Sequence, residues 1–407
     1  MPVACRQENP MTERSDPIVI AASVRTPLGR FQGELSPVAA PRLGSTVIKA
    51  AVERAGLQPD RIDEVLMGCV LPAGQGQAPA RQAARGAGLP DATGATTVNK
   101  VCGSGMKAVM LGHDLITAGS ADIVVAGGME SMSNAPYLLS QARAGYRFGH
   151  GQIFDHAALD GLEDAYDKGR SMGTFGEDTA QQYQFDRKSQ DHYAETSLRR
   201  ARGAVETGAF DAEVVPVTIA AKAGDLVIKR DENPLKVSPD KIPTLKPAFR
   251  PDGTITAASS SANADGAAAL VITRLSIAQR EGLPVLAAIR GHASHAQEPA
   301  WFTTAPIGAI RKLLAKVGWS KDDVDLFEIN EAFAVVVMAA MRDLALDHER
   351  VNVHGGACAL GHPIGATGAR IIVTLLNALE KKGGTRGVAS LCIGGGEATA
   401  VAIERLH

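Results

Sequence analysis

Residues 97–130 read TVNKVCGSGMKAVMLGHDLITAGSADIVVAGGME, and their pattern decides the architecture. Residues 97–101 lead as a strand into Cys102, where Gly103 and Gly105 allow a sharp turn. Residues 106–118 continue as an apolar helix, and residues 121–126 form a second buried run closed by Gly127 and Gly128. Strand, thiol-bearing turn, helix and strand in this order imply a layered α/β domain with a largely parallel sheet.

The flanking chain extends the pattern. Upstream, residues 17–23 (PIVIAAS) read as a buried strand, 44–55 as a helix stopped by Gly56, and 63–70 as another strand. Downstream of Ser131 the chain turns polar until about Ser261, with a helical stretch at 181–201. That length is too great for a plain connection and suggests a separate lid or binding subdomain. Strands resume at 267–273, 285–290 and 324–329, followed by a helix at 331–344 and a glycine-rich loop at 354–368. A helix at 369–380 and a strand at 387–393 close on Gly394-Gly395-Gly396. The segments IVVAGGME (123–130) and ASLCIGGGE (389–397) read as one element used twice, so an internal duplication is expected.

At 407 residues the chain is long enough for two or three layered domains. A net charge of -2 gives no global pull toward nucleic acid or anionic membrane, so an anionic ligand needs local lysines, arginines or helix N-termini. No apolar run has the length of a membrane span. The cysteines (Cys5, Cys69, Cys102, Cys358, Cys392) are odd in number and scattered, which fits reduced thiols in the cytoplasm better than a disulfide framework. Residues 1–15 mix Arg6 and Arg14 with Glu8 and Glu13 and read as an extension, neither a signal peptide nor a basic targeting helix, with Met11 as an alternative start.

Cys102 is the sharpest chemical candidate. Placed at a helix N-terminus, its thiolate would be favoured by free N–H groups, although a buried cysteine is by default structural. His362 sits on the glycine-rich loop, where it is either a base toward a thiol or a solvent-facing side chain. His354, Cys358 and His362 are spaced by four, as metal ligands on a helix would be, but the intervening glycines argue against a regular helix and hence against zinc. Cys392 ends a strand beside bare backbone N–H groups; it is either a proton shuttle next to an oxyanion hole or a small hydrophobe. Asn330 opens a helix and either caps it or holds a water or substrate oxygen. Glu328 and Glu331 beside it form a carboxylate pair or simply serve a helix start.

Five stretches together resemble the thiolase family: NKVCGSGMKAV around Cys102, GGMESMSNAPY at 127–137, INEAFA around Asn330, GGACALGHPIGATGAR around His362 and LCIGGG around Cys392. The similarity runs in family order from about Pro17 to the C-terminus. It implies a five-layered αβαβα core of two similar halves with an inserted loop domain. The halves would comprise 16–132 with 262–283, and 284–407; the loop domain, for CoA binding and oligomerisation, would be 133–261. The resemblance implies that His362 activates Cys102, which takes the acyl group as a thioester. Cys392 would then act as general acid and base on the second acetyl-CoA. One oxyanion site would combine His362 with a water held by Asn330; the other would use backbone N–H groups of Cys102 and Gly394. Ser261, Met172 and Phe333 would contact substrate.

The expected activity is that of an acetyl-CoA C-acetyltransferase, with a broader 3-ketoacyl-CoA thiolase as the alternative. Acyl-CoA and CoA are the expected partners, CoA being a substrate and product; no cofactor, metal, nucleic acid or membrane is implied, and a homodimer or homotetramer is. A decarboxylating ketoacyl synthase would want a second histidine or a His/Asn pair, and a non-catalytic acyl-CoA-binding protein would not need both cysteines. Departures from the family pattern fall at Ser171, where short-chain members usually carry histidine, at Thr303 and Ala305, and at Ala398. They leave the catalytic set intact and bear on acyl-chain preference, together with the bulk of Trp301 and Phe302.

Overall fold

The computed structural model describes residues 16–222 and 224–406; the extension at 1–15, with Cys5 and Met11, lies outside them. The first half contains β1 (Ile18–Arg25), α1 (Ala40–Arg54), β2 (Glu64–Gly68), α2 (Pro79–Gly86), β3 (Gly94–Val98), α3 (Ser104–Ala118) and β4 (Ile123–Ser131). A long excursion bearing α4 (Met172–Tyr183) and α5 (Arg187–Glu206) returns through β5 (Ala264–Arg274). The second half contains β6 (Ala287–Ala296), α6 (Ala305–Val317), β7 (Leu326–Ile329), α7 (Ala334–Leu344), α8 (Thr367–Lys382), β8 (Arg386–Ile393) and β9 (Glu397–Arg405).

These strands run in the order β7-β8-β9-β6-β1-β5-β4-β2-β3. Outward from the central β1–β6 contact the two halves repeat one arrangement: first strand, last strand, hairpin-like neighbour, then a parallel strand. The expected duplication is present, but only the second of the two strands is closed by its glycines: Gly127 and Gly128 pair with Ala269 and Ala268 inside β4, which runs on to Ser131. The halves meet where Val19 pairs Ala288 and Ile20 pairs Ala287. The sheet is mixed, not largely parallel: β1, β5 and β4 run antiparallel, as do β6, β9 and β8, while only β2–β3, β2–β4 and β7–β8 are parallel. The reason lies at the Gly394-Gly395-Gly396 turn, which folds β9 straight back on β8 and leaves no crossover helix between them.

Side-chain alternation builds the layers. Ile18 and Ile20 of β1 face a central apolar layer shared with Met106, Val109 and Ile116 of α3 and Ile372, Leu375 and Leu379 of α8. Val19 and Val24 point the other way, toward Leu43, Val47 and Ile48 of α1. On the far side, Phe327, Val388 and Ala400 pack on Ile310 and Leu313 of α6 and Val337 of α7. Two helices thus lie between the two halves of the sheet, with helices outside each, giving the five layers. Strands covered on both faces explain the uninterrupted apolar runs in the sequence.

Several boundaries move for local reasons. The helix expected at 181–201 is two helices, because Gln184 adopts a left-handed conformation (φ 54°) and the Asp186 carboxylate caps α5 by accepting the Ser189 N–H at 2.7 Å. The helix expected from residue 331 begins at Ala334, since residues 330–333 are drawn into contact with 259–261.

Candidate active site

The N-terminal turns of α3 and α8 touch, and glycine makes the approach possible. A Cβ on Gly105 would lie 2.9 Å from the Ala369 nitrogen, and one on Gly368 would lie 2.3 Å from the Met106 nitrogen. The chain therefore brings the Cys102 turn and the 354–368 loop to one place.

Before α3, Val101 is held at φ 45°, an unfavourable conformation for a β-branched residue. The turn is fixed locally: Ser104 Oγ accepts the Lys100 N–H at 2.8 Å and donates to the Val101 carbonyl at 2.6 Å. Backbone strain of this kind, at a sharp strand-to-helix turn, is a recurring way of projecting a reactive side chain. Gly103 lies against Ile393, so the turn sits directly on the end of β8.

Cys102 is partly buried and packs beside Val70, Leu71 and Ile364. Burial pushes its thiol up to about 11, opposed by the backbone N–H groups of Gly394 and of Cys102 itself. The preformed thiolate expected at the helix N-terminus is therefore not favoured; desolvation outweighs the N–H groups. Cys392 is fully buried, and burial together with the neighbouring Cys102 sulfur raises its thiol well above the ordinary range.

His362 carries the other titratable side chain expected at the site. Burial, with the Arg370 charge second, lowers its imidazole to about 3, so the ring is neutral at physiological pH. Its Nδ1 lies 2.7 Å from Thr367 Oγ1, whose own proton is donated to the Pro363 carbonyl at 3.0 Å. The hydroxyl must then accept from Nδ1–H, which leaves the lone pair on Nε2. That Nε2 is buried and bonded to no protein group, as are both amide atoms of Asn330. Asn330 is tied by its backbone N–H to the Ser390 carbonyl, two residues from Cys392.

The remaining expected residues gather around the same point. The His362 N–H donates to the Ala262 carbonyl, and the adjacent Ser261 N–H donates to the Ala332 carbonyl. Met172 Sδ lies 3.5 Å from where a Gly394 Cβ would stand, and Met172 and Phe333 share an apolar cluster with Cys392. Ser171 occupies the N-cap position of α4 without a side-chain capping hydrogen bond. Phe302 is buried in the Cys392 cluster, edge-on to Phe175 at 6.2 Å, whereas Trp301 lines an outer depression with Tyr183 and Arg342 and does not narrow the site. Thr303 bonds Thr179 at 2.5 Å, Ala305 begins α6, and Ala398 pairs with Cys392 across β8 and β9.

The zinc pattern does not assemble: His362 turns to Thr367, and Cys358 Sγ contacts the Glu331 carbonyl at 3.8 Å. Nor do Glu328 and Glu331 act as a pair. Glu331 accepts from Tyr193, Ser197, Asn352 and the Cys358 N–H, whereas Glu328, lifted to about 8 by burial, faces Arg370 at 3.8 Å. Two residues went unread in the sequence. Thr367 was hidden as an ordinary helix-start residue. Glu130 was the sole acid in an otherwise apolar buried strand; it accepts the N–H groups of Val70, Leu71 and Gly365 and so pins the His362 loop to β2. Burial lifts its carboxyl to about 7.

A strained thiol turn, a neutral imidazole with a free lone pair, a second buried thiol and a glycine N–H form a set suited to acyl transfer through a thioester. The chain belongs to the thiolase family: residues 18–276 match the thiolase N-terminal domain and residues 283–405 the thiolase C-terminal domain. It is 49% identical over 391 residues to the acetyl-CoA acetyltransferase of Escherichia coli, covering 96% of this chain and 99% of that one. The enzyme of the same name from Cupriavidus necator is 47% identical over 390 residues, with 95% and 99% covered. The acetyl-CoA acetyltransferase structure from Bacillus anthracis superposes with a TM-score of 0.93 at 42% identity, covering 96% of this chain and 99% of that one. The Acat5 thiolase of Ascaris suum in complex with coenzyme A gives 0.91 at 42% identity, with 96% and 100% covered.

Proposed function

We propose that the protein is an acetyl-CoA C-acetyltransferase, interconverting two acetyl-CoA with acetoacetyl-CoA and CoA. The observation that carries this is the His362 imidazole, oriented by Thr367 with its Nε2 bonded to no protein group, on the loop whose Ile364 packs on Cys102. Cys102 Sγ attacks the thioester carbon while His362 Nε2 takes its proton. The tetrahedral intermediate expels the CoA thiolate, which takes the proton of Cys392. The first half-reaction thus ends with acetyl-Cys102, a His362 imidazolium and a Cys392 thiolate. That thiolate removes a proton from the methyl group of the second acetyl-CoA. The enolate attacks acetyl-Cys102, and Cys102 leaves with the proton held by His362. Both cysteines return to thiols, and the proton count closes without a cofactor beyond CoA.

Charge develops on an oxygen in each half-reaction. The N–H groups of Cys102 and Gly394 suit the acyl oxygen; His362 with a water on the Asn330 amide suits the enolate oxygen, consistent with those unbonded buried atoms. Ser261, Met172 and Phe333 flank the bound thioester. Residues 133–261 are assigned to CoA binding and oligomer contacts, and the active form to a homo-oligomer. The four described cysteines are free, which suits a cytoplasmic enzyme.

Phe302 buried beside Cys392 favours the short acyl group over the broader-chain reading. The test is CoA-dependent thiolysis across 3-ketoacyl-CoAs of increasing length. Activity confined to acetoacetyl-CoA supports the proposal; equal or rising activity on long chains assigns a broad degradative thiolase, and none rejects both.

A further inference from the structure

Away from the acyl-transfer site, His113 and Asp114 of α3 meet His292 of β6. Asp114 Oδ1 lies 2.9 Å from His292 Nε2 and 3.3 Å from His113 Nδ1, and the ligand atoms of all three residues lie within 4.8 Å of one another. The two imidazoles stand edge to face with centroids 5.0 Å apart. Both histidine side chains are only 11% exposed while that of Asp114 is 53% exposed, so two sheltered nitrogens converge on a carboxylate open to solvent. Among the described residues this is the one such convergence of histidine, cysteine and acid.

We propose that His113, Asp114 and His292 bind one divalent transition-metal ion of the zinc, cobalt and nickel class. Two imidazole nitrogens and one carboxylate oxygen are the ligand types these borderline ions prefer. Bonds of about 2.0–2.2 Å in a tetrahedron place ligand atoms roughly 3.4 Å apart. The 2.9 and 3.3 Å separations are close to that already, and the two imidazole nitrogens lie within 4.8 Å of each other. The exposed side of Asp114 leaves the fourth position to water. The site is about 15 Å along α3 from Cys102, so it does not share the thiols. It joins α3 of the first half to β6 of the second, and an ion there ties the halves together. Sequence spacing could not reveal it, because His292 is remote in the chain and sits beside the pair only once β6 has packed against the central layer.

The test is cobalt(II) titration of the full-length protein, followed by visible absorption and by equilibrium dialysis. Wild type is expected to bind one equivalent with nitrogen and oxygen ligand-field bands, without thiolate charge transfer, and to gain in Tm. His292→Ala and the near-isosteric Asp114→Asn are each expected to weaken binding at least tenfold while thiolysis of acetoacetyl-CoA stays at the wild-type level. Cobalt bound equally by both variants, a thiolate charge-transfer band, or no binding at all would overturn the proposal; the last would leave Asp114 as a hydrogen-bond bridge between two imidazoles.

Discussion

At the scale of single residues, the account turns on proton positions. Thr367 orients His362 without touching the reacting atoms, so it is a positioning residue. Thr367→Val removes the acceptor that fixes the Nδ1–H tautomer and should lower kcat by about 10- to 100-fold with little change in KM, in the range usual for groups that orient a histidine. Thr367→Ser keeps the hydroxyl and should restore most of the rate in steady-state assays. His362 also leaves a signature in stability. Its folded value of about 3 lies below the ordinary 6.5, so the unfolded chain binds the proton more readily. Its contribution is complete above pH 6.5 and is lost as pH falls toward 3; His354, lowered to about 4 by burial, acts in the same sense. Urea unfolding between pH 7 and 4 should show this loss, and His362→Asn should flatten it. The sequence marked Cys102, Cys392 and Asn330 by their place at strand and helix ends and His362 by its glycine-rich loop, four residues that the thiolase resemblance joined. It misjudged the ionisation of Cys102, because helix polarity is visible in a sequence and depth of burial is not.

At the scale of elements, the site exists because α3 and α8 approach at their N-termini through glycine. Gly368→Ala places a methyl group about where the Met106 nitrogen needs space, and such overpacking typically costs 1–3 kcal/mol or more. The expected result is a clear drop in the urea midpoint together with a larger proportional loss of thiolysis, since Cys102 and His362 are carried on the two displaced ends. Unchanged stability would mean that the helices do not meet as described. The apolar runs at 17–23 and 121–126 made their strands legible because burial on both faces favours hydrophobic residues throughout, but the strands continue past them to Arg25 and Ser131. Their direction was not legible, since hairpin and crossover connections differ in geometry more than in composition. β9, whose residues alternate between the outer and central layers, passed unread beside the conspicuous glycines that precede it.

At the scale of the whole molecule, two similar halves bring the N-termini of α3 and α8 together, and each half gives a thiol. One thiol sits on a strained turn and the other on a strand end, which fits one for acyl capture and one for proton transfer. The duplication could be read from two similar glycine-bearing segments, although Gly127 and Gly128 lie within β4 and only Gly394-Gly395-Gly396 ends a strand; the joining of the halves through β1 and β6 was beyond any local pattern. The central claim is that Cys102 carries the acyl group while Cys392 moves the α-proton. The most direct measurement is peptide mass spectrometry after brief exposure to acetyl-CoA, on wild type, Cys102→Ser and Cys392→Ala. The account predicts one acetyl group on the Cys102 peptide of wild type, none at that position in Cys102→Ser, and a Cys392→Ala protein that is acetylated at Cys102 yet forms no acetoacetyl-CoA. Acetylation centred on Cys392, or normal condensation by Cys392→Ala, would contradict it.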